Sequence, residues 1–159
     1  LKKIYGENVH VFFIEPIESP SMLLGLATGK FDQISVQDIG LSGKTEADGL
    51  AVGRTSGFAA KIMGKILSGV FTMEDEVLPF YMKEVFEKEK IFIEPSGCAA
   101  FEGPIKLFQY EEGRQYLEEN KIQDKMKNST HILWATGGRL VPEEIRKELL
   151  KEEAKENGR

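Results

Sequence analysis

The chain has 159 residues, of which 41% are hydrophobic and 30% are charged, a composition typical of one globular domain with its own core. The formal net charge of −5 argues against nucleic-acid binding, which requires a basic surface. The chain contains one cysteine and no apolar stretch close to the roughly 20 residues of a membrane span. We therefore expect a cytoplasmic protein without an internal disulfide, a nucleic-acid partner or a membrane segment.

The first ten residues, LKKIYGENVH, contain neither an initiator methionine nor the apolar core of a signal peptide. This start fits a fragment of a longer protein, although processing of the chain would explain it equally well.

Two stretches in the first third of the chain predict strands of a parallel sheet. Residues 9–14 form a nearly continuous apolar run, as in a strand that is buried on both faces. Residues 33–39 are the second strand candidate. Between these stretches, Ser19 and Ser21 can cap a short helix that ends at Gly29.

The middle of the chain is predicted to continue with helix, strand and helix. A helix should start at Glu46 and place four apolar side chains on one face: Phe58, Ile62, Ile66 and Leu67. Residues 70–71 predict a short strand, and Thr72 with Asp75 predicts a capping box for the next helix. Pro79 lies within the apolar stripe of that helix and should kink it.

The last third predicts two further strands, at residues 91–93 and 131–135, with helices at 96–108 and 112–127 between them. Pro142 should open a final helix. Because strands alternate with helices, the sequence predicts an α/β fold with a mostly parallel sheet flanked by helices.

The final helix is predicted to pair Glu143 with Lys147 and to bury Ile145 and Leu149. Residues 150–159, which are strongly polar, should fray. The sequence shows neither a repeat nor a linker, so we expect a single domain over residues 1–159.

Five phrases occur in a characteristic order and spacing: FFIEP at 12–16, QISVQDIGL at 33–41, ADGLAVGR at 47–54, EPSG at 94–97 and HILWATGG at 131–138. Together they resemble the C-terminal part of D-serine ammonia-lyase, also called D-serine dehydratase. The resemblance covers about residues 4–145. It implies part of the large cofactor-binding domain of the tryptophan-synthase-β-like class of pyridoxal-phosphate enzymes.

For the intact enzyme, the resemblance implies pyridoxal phosphate as cofactor and β-elimination of D-serine, an amino-acid substrate, to pyruvate and ammonia. The family's Schiff-base lysine motif and glycine-rich phosphate loop are not found in this sequence. We therefore assign no catalytic residue here and expect the missing N-terminal part of the same enzyme to supply both. Alone, the fragment should be inactive and prone to self-association.

Two alternatives stay open. The first is a relative with another substrate, either an L-threonine/L-serine dehydratase or a diaminopropionate ammonia-lyase, although the long block at 33–54 favours the D-serine family. The second is a non-catalytic, stand-alone α/β binding module, for which the absent lysine motif is the best support.

The strongest candidate site is Thr136-Gly137-Gly138, at the end of the last predicted strand, because open parallel sheets bind ligands beyond the carboxyl ends of their strands. The resemblance implies that the Thr136 hydroxyl bonds the pyridine nitrogen of the cofactor. Judged by the three residues alone, a capped turn explains them as well. The family usually has a third glycine where this chain has Arg139.

Two further positions are candidates. Glu15, with Ser19 and Ser21, resembles a site where related enzymes hold a cation, possibly a monovalent one; a helix-capping carboxylate is the alternative. Gly49 would let the backbone approach the cofactor ring, whereas Asp48 fits the start of a helix.

The remaining reactive or bulky side chains predict ordinary structural roles. Cys98 should be a buried, inert thiol and Trp134 a core residue. Neither His10 nor His131 has a partner at metal-ligand spacing.

Overall fold

Two parallel strands form the sheet of the computed structural model, which describes residues 1–150. Strand β1 (Phe12–Pro16) pairs with β2 (Gly69–Met73), and the register runs from Phe12 opposite Gly69 to Pro16 opposite Met73. Both strands were predicted from their apolar runs, and both are confirmed, β1 with its start three residues later. The parallel pairing agrees with the predicted α/β class.

Helices surround the sheet: α1 (Lys2–Tyr5), α2 (Ser21–Thr28), α3 (Gly57–Met63), α4 (Leu78–Glu89), α5 (Pro95–Cys98), α6 (Glu102–Gln109), α7 (Glu111–Glu119) and α8 (Glu143–Leu149). Short 3₁₀ helices connect them: Gly6–Asn8, Phe31–Gln33, Val36–Ile39, Asp48–Leu50, Asp75–Val77, Ala99–Phe101 and Gln123–Asn128. None of the helices within residues 1–150 is long and apolar enough to cross a membrane.

The buried side chains form two clusters, and β1 contacts both. The main cluster joins β2, α4 and the α5 region: Ala47, Met73, Leu78, Tyr81, Met82, Ile93, Cys98 and Ala99. The smaller cluster contains Leu107, Leu117 and Ile122. Ile14 packs on the first cluster, and Phe12 packs on the second, where its ring stacks on Phe71 at 5.0 Å.

Helix α2 ends as predicted but does not begin as predicted. Gly29 adopts a left-handed φ of 66°, which glycine tolerates because it has no Cβ. At the start, no serine side chain caps the helix. Instead the Glu15 carboxylate accepts the amides of Met22 and Leu23, so a carboxylate from the preceding strand satisfies the free N–H groups.

The predicted capping box before α4 is wrong. Thr72 lies within β2, and Asp75 accepts hydrogen bonds from the Thr45 hydroxyl and the Glu46 amide, both at 2.6 Å. The predicted kink is also wrong, because Pro79 lies in the first turn of α4, where its missing N–H needs no partner.

Three predicted strands are wrong. Residues 33–39 form 3₁₀ turns, because the Asp38 carboxylate accepts the Ser35 amide at 2.8 Å in a capping box that competes with extended backbone. Residues 91–93 and 131–135 pair with no strand of the described chain. Their apolar runs signal burial, and sheet formation needs a neighbouring strand as well.

The helix predicted from Glu46 is only partly present. It is replaced by a 3₁₀ turn at Asp48–Leu50 and by α3, which Ser56 caps by accepting the Ala59 amide. Phe58, predicted to lie on the apolar face, is 78% exposed. The glycines in this region shorten the helix, as their weak helix propensity leads one to expect.

The final helix matches its prediction in part. Pro142 precedes α8, and Lys147 contacts Glu143 at 2.7 Å. Leu149 packs on the main cluster, whereas Ile145 is 44% exposed, so its predicted burial is wrong. The predicted fraying concerns residues 150–159, and 151–159 lie outside the described residues.

Candidate functional site

Three of the phrases that carry the sequence resemblance meet at one place. The loop 136–138 lies against the segment 94–97 so closely that a Cβ on Gly97 would be 2.3 Å from the Thr136 carbonyl oxygen. On the other side of this segment, the Gly49 amide donates to the Ser96 hydroxyl at 2.9 Å. Sequence positions near 49, 96 and 137 are thus brought together by folding.

Gly137 and Gly138 are required by the backbone of the loop. Their φ angles of 86° and 93° lie in the left-handed region that side chains disfavour. A Cβ on Gly137 would be 2.0 Å from a carboxylate oxygen of Glu94, and one on Gly138 would be 3.0 Å from the Phe92 carbonyl oxygen. The loop therefore packs backbone-to-neighbour along the segment that leads into α5.

Thr136 is exposed, and within residues 1–150 its hydroxyl has no hydrogen-bond partner. Its backbone is held against Gly97, so the residue is anchored while its side chain is free. A hydroxyl in this setting can donate to a ligand acceptor such as an unprotonated ring nitrogen. The predicted chemistry of Thr136 fits this arrangement.

Gly49 is the second residue of the 3₁₀ turn Asp48–Leu50 and is exposed. A Cβ here would be 2.9 Å from the Ser96 hydroxyl oxygen, so close packing against Ser96 requires a glycine whether or not a ligand is bound. Ser96 in turn lies 3.4 Å from the Asp48 carboxylate. Asp48 begins the turn, which agrees with its alternative role.

The two sides of the loop are held by side chains that sequence reasoning did not single out. The Glu94 carboxylate accepts the Gly138 amide at 3.0 Å. Arg146 of α8 donates to the carbonyls of Arg139 at 2.5 Å and Val141 at 2.7 Å. The EPSG phrase pointed to Glu94 only as part of a motif, and no sequence signal marked Arg146.

The Glu15 region has a different geometry. Both carboxylate oxygens accept backbone amides of α2, at 2.8 and 2.9 Å, and the Ser21 hydroxyl also bonds this carboxylate. Burial raises the pKa of Glu15, and these hydrogen bonds oppose the rise. The capping role that was the alternative for Glu15 is therefore observed directly.

Ser19 is the one residue of this region with an unused polar group. It is fully buried, and its hydroxyl is the only buried side-chain oxygen or nitrogen of the described residues that lacks a hydrogen-bond partner. Clusters of three or more histidine, cysteine, aspartate or glutamate side chains are absent from residues 1–150. A cation here would therefore need hydroxyl and backbone oxygens besides one carboxylate.

Two side chains with possible reactivity have structural roles. Cys98 is fully buried in the main cluster, and burial raises the pKa of its thiol to about 12, so it is inert as predicted. Trp134 is 74% exposed, so its predicted place in the core is wrong.

Comparison with known proteins agrees with these observations. The family model described as "Pyridoxal-phosphate dependent enzyme" matches residues 1–117. Relatives named "Probable D-serine dehydratase" include those of Geobacillus kaustophilus, 50% identical over 145 residues, and Halalkalibacterium halodurans, 54% identical over 144 residues. These alignments cover 91% of this chain and 33% and 32% of the relatives, so the chain spans about a third of their length.

Two solved structures share the fold. The processed form of threonine deaminase isoform 2 from Solanum lycopersicum has a TM-score of 0.61 at 21% identity and covers 93% of this chain and 36% of its own. A second threonine deaminase, of bacterial strain "T.th.", has a TM-score of 0.55 at 19% identity and covers 66% of this chain and 36% of its own. The predicted fold class is confirmed, and the chain belongs to the family of pyridoxal-phosphate dependent enzymes.

Proposed function

We propose that this chain forms part of a D-serine dehydratase, a pyridoxal-phosphate-dependent lyase that converts D-serine to pyruvate and ammonia by β-elimination. The observation that carries the proposal is 50–54% identity, over more than nine tenths of the chain, to relatives named for this activity. Identity at this level, together with the proximity of the segments around Gly49, Ser96 and Gly137, favours shared chemistry over a merely shared fold.

The loop 136–138 fits the cofactor ring in this proposal. Bound pyridoxal phosphate supplies the electron sink for removal of the α-proton. The Thr136 hydroxyl donates to the ring nitrogen and leaves it unprotonated, since a hydroxyl is too weak an acid to transfer its proton. Gly137 and Gly138 present backbone without side chains, as does Gly49, which allows a planar ligand to approach closely.

The remaining machinery is proposed to come from outside these 159 residues. A further segment of the same enzyme would provide the Schiff-base lysine and the phosphate-binding loop, and residues 1–159 would form one part of the cofactor-binding domain. No catalytic residue is assigned within the chain. We place the enzyme in the cytoplasm, because its lone cysteine is buried and reduced.

A cation site at Glu15, Ser19 and Ser21 is also proposed, supported by the unpartnered Ser19 hydroxyl beside a partly buried carboxylate segment. If a monovalent cation binds there, activity of the full-length gene product should depend on cation identity, and Glu15→Gln should remove that dependence. Equal activity with every cation, in a chelated and dialysed sample, would leave Glu15 as a helix cap alone.

The substrate is tested by supplying the full-length gene product with pyridoxal phosphate and measuring keto-acid release from four amino acids. We expect kcat/KM for D-serine to exceed that for L-serine, L-threonine and diaminopropionate by at least about 100-fold. Faster turnover of L-threonine would indicate an L-threonine dehydratase. Cofactor-independent behaviour with no turnover of any substrate would favour a binding module.

A further inference from the structure

We propose that Glu94 is a positioning residue for the loop 136–138. Its carboxylate holds the Gly138 amide and thereby sets where the Thr136 hydroxyl, two residues earlier, meets its ligand. The inference deepens the proposed function, on which the identity of that ligand rests, and it starts from contacts that exist without any ligand.

The contacts of the carboxylate are made with the most pliable part of the loop. One oxygen accepts the Gly138 amide at 3.0 Å, and the other would lie 2.0 Å from a Cβ on Gly137. Two consecutive glycines have more accessible conformations than any other pair of residues, so the loop cannot hold its own shape. The Glu94 carboxylate selects one shape by accepting one amide and filling the space beside the other glycine.

Glu94 itself stands on rigid backbone. Its carbonyl accepts the amides of Gly97 at 2.9 Å and Cys98 at 3.1 Å, which opens α5. Ile93 before it and Cys98 after it are buried in the main cluster. Pro95 fixes the following φ and keeps Glu94 extended. A side chain on such a support can transmit a fixed position to the loop.

The charge of Glu94 has no other use in the described part of the chain. No lysine, arginine or histidine within residues 1–150 forms an ion pair with it. A partly buried carboxylate that lacks a cationic partner is costly unless its hydrogen bonds compensate for lost water. The bond to Gly138 provides that compensation, and a charge-assisted bond of this kind is stronger than a neutral one.

Arg146 provides an internal comparison, because it holds the far side of the same loop. It donates to the carbonyls of Arg139 and Val141, while its guanidinium lies 5.3 Å from the centre of the Phe92 ring. These contacts begin three residues after Thr136. Loss of Arg146 should therefore loosen residues 139–141 more than it disturbs the Thr136 hydroxyl.

The test uses the full-length gene product and two readouts. Amide hydrogen exchange without cofactor reports on the loop, and titration with pyridoxal phosphate, followed by absorbance, reports on its ligand. Glu94→Ala should raise exchange across residues 136–141 and the cofactor Kd, each on the order of tenfold, because a charge-assisted hydrogen bond is lost. Exchange in α4 should stay unchanged.

Three further variants control this result. Glu94→Gln keeps an acceptor oxygen and should bring both readouts within about threefold of wild type. Glu89→Ala removes an exposed carboxylate at the end of α4 and should change neither. Arg146→Ala should raise loop exchange while changing the cofactor Kd less than Glu94→Ala does. If Glu94→Ala does not fold, Glu94→Asp replaces it, since the shorter side chain cannot span to the Gly138 amide.

Wild-type loop exchange in Glu94→Ala, or in Glu94→Asp, would overturn the proposal. So would a rise in exchange spread over the whole core, which would make Glu94 a general stability residue. Faster loop exchange with an unchanged cofactor Kd would also contradict the positioning role. Absence of D-serine turnover in the wild-type protein would refute the substrate instead, while the exchange and Kd results would still decide the role of Glu94.

Discussion

Two nearly identical sequences in this chain have different fates. Residues 12–16 read FFIEP and residues 91–95 read IFIEP, and each ends in a glutamate and a proline, with the glutamate carboxylate accepting backbone amides. The first sequence forms β1 and pairs with β2, whereas the second pairs with no strand of residues 1–150. The local pattern fixes the glutamate and the proline, and the surroundings decide the rest.

The partners of the two carboxylates show what the difference means. Glu15 binds amides seven and eight residues further on, at the start of α2, so its role is local and concerns stability. Glu94 binds an amide 44 residues away, in a loop with an exposed hydroxyl, so it joins two distant segments of the candidate site. The same pair of residues thus supports a helix in one place and a ligand loop in the other.

The largest expected effect concerns Glu15. Glu15→Ala leaves two amides at the start of α2 without their acceptor, and we expect the free energy of unfolding to fall by about 3 kcal/mol. Chemical denaturation of the full-length gene product measures this, with Glu89→Ala as the control. A loss below about 0.5 kcal/mol, the level typical of surface changes, would remove the proposed contrast with Glu94.

An effect of similar or smaller size is expected at Thr136. Thr136→Val keeps the shape of the side chain and removes its donor, so kcat/KM for D-serine should fall by about 1–3 kcal/mol in transition-state terms while the fold stays intact. Thr130→Val, an equally exposed threonine six residues earlier, is the matched control. Identical kinetics in both variants would show that the loop turns the chain without contacting the cofactor.

The smallest expected effect is a pH dependence at Glu15. Burial raises its pKa, so the folded protein binds a proton more tightly than the unfolded chain does. Its contribution to stability is complete below the unfolded pKa and declines as pH rises through the raised folded pKa. The stability difference between wild type and Glu15→Gln should therefore shrink over this window in pH-dependent denaturation. A difference that grows with pH would mean that the amide bonds outweigh burial.

The sequence predicts the parts of this fold that depend on local chemistry. The strands β1 and β2, the end of α2 at Gly29 and the start of α8 after Pro142 follow from apolar runs and from the φ preferences of glycine and proline. Residues 91–93 and 131–135 could not be assigned correctly, because an apolar run does not state whether a neighbouring strand is present.

The candidate site divides in the same way. Thr136, Gly137, Gly138 and Gly49 were reached through motif resemblance, and their proximity to the EPSG segment appears only in the folded chain. Glu94 and Arg146 escaped notice because their partners are set by packing. Glu15 shows the converse, since a strand-end carboxylate suggests an ion while the nearby amides already occupy it.

The most direct test of the central claim is to locate the lysine that holds the cofactor. The full-length gene product is saturated with pyridoxal phosphate, reduced with borohydride and digested, and the modified peptide is identified by mass spectrometry. We predict an absorbance band near ~410–420 nm that borohydride removes, and one modified lysine outside residues 1–159. A specifically modified lysine within these residues, or the absence of any reducible band, would contradict the claim that this chain supplies ring contacts to a cofactor anchored elsewhere.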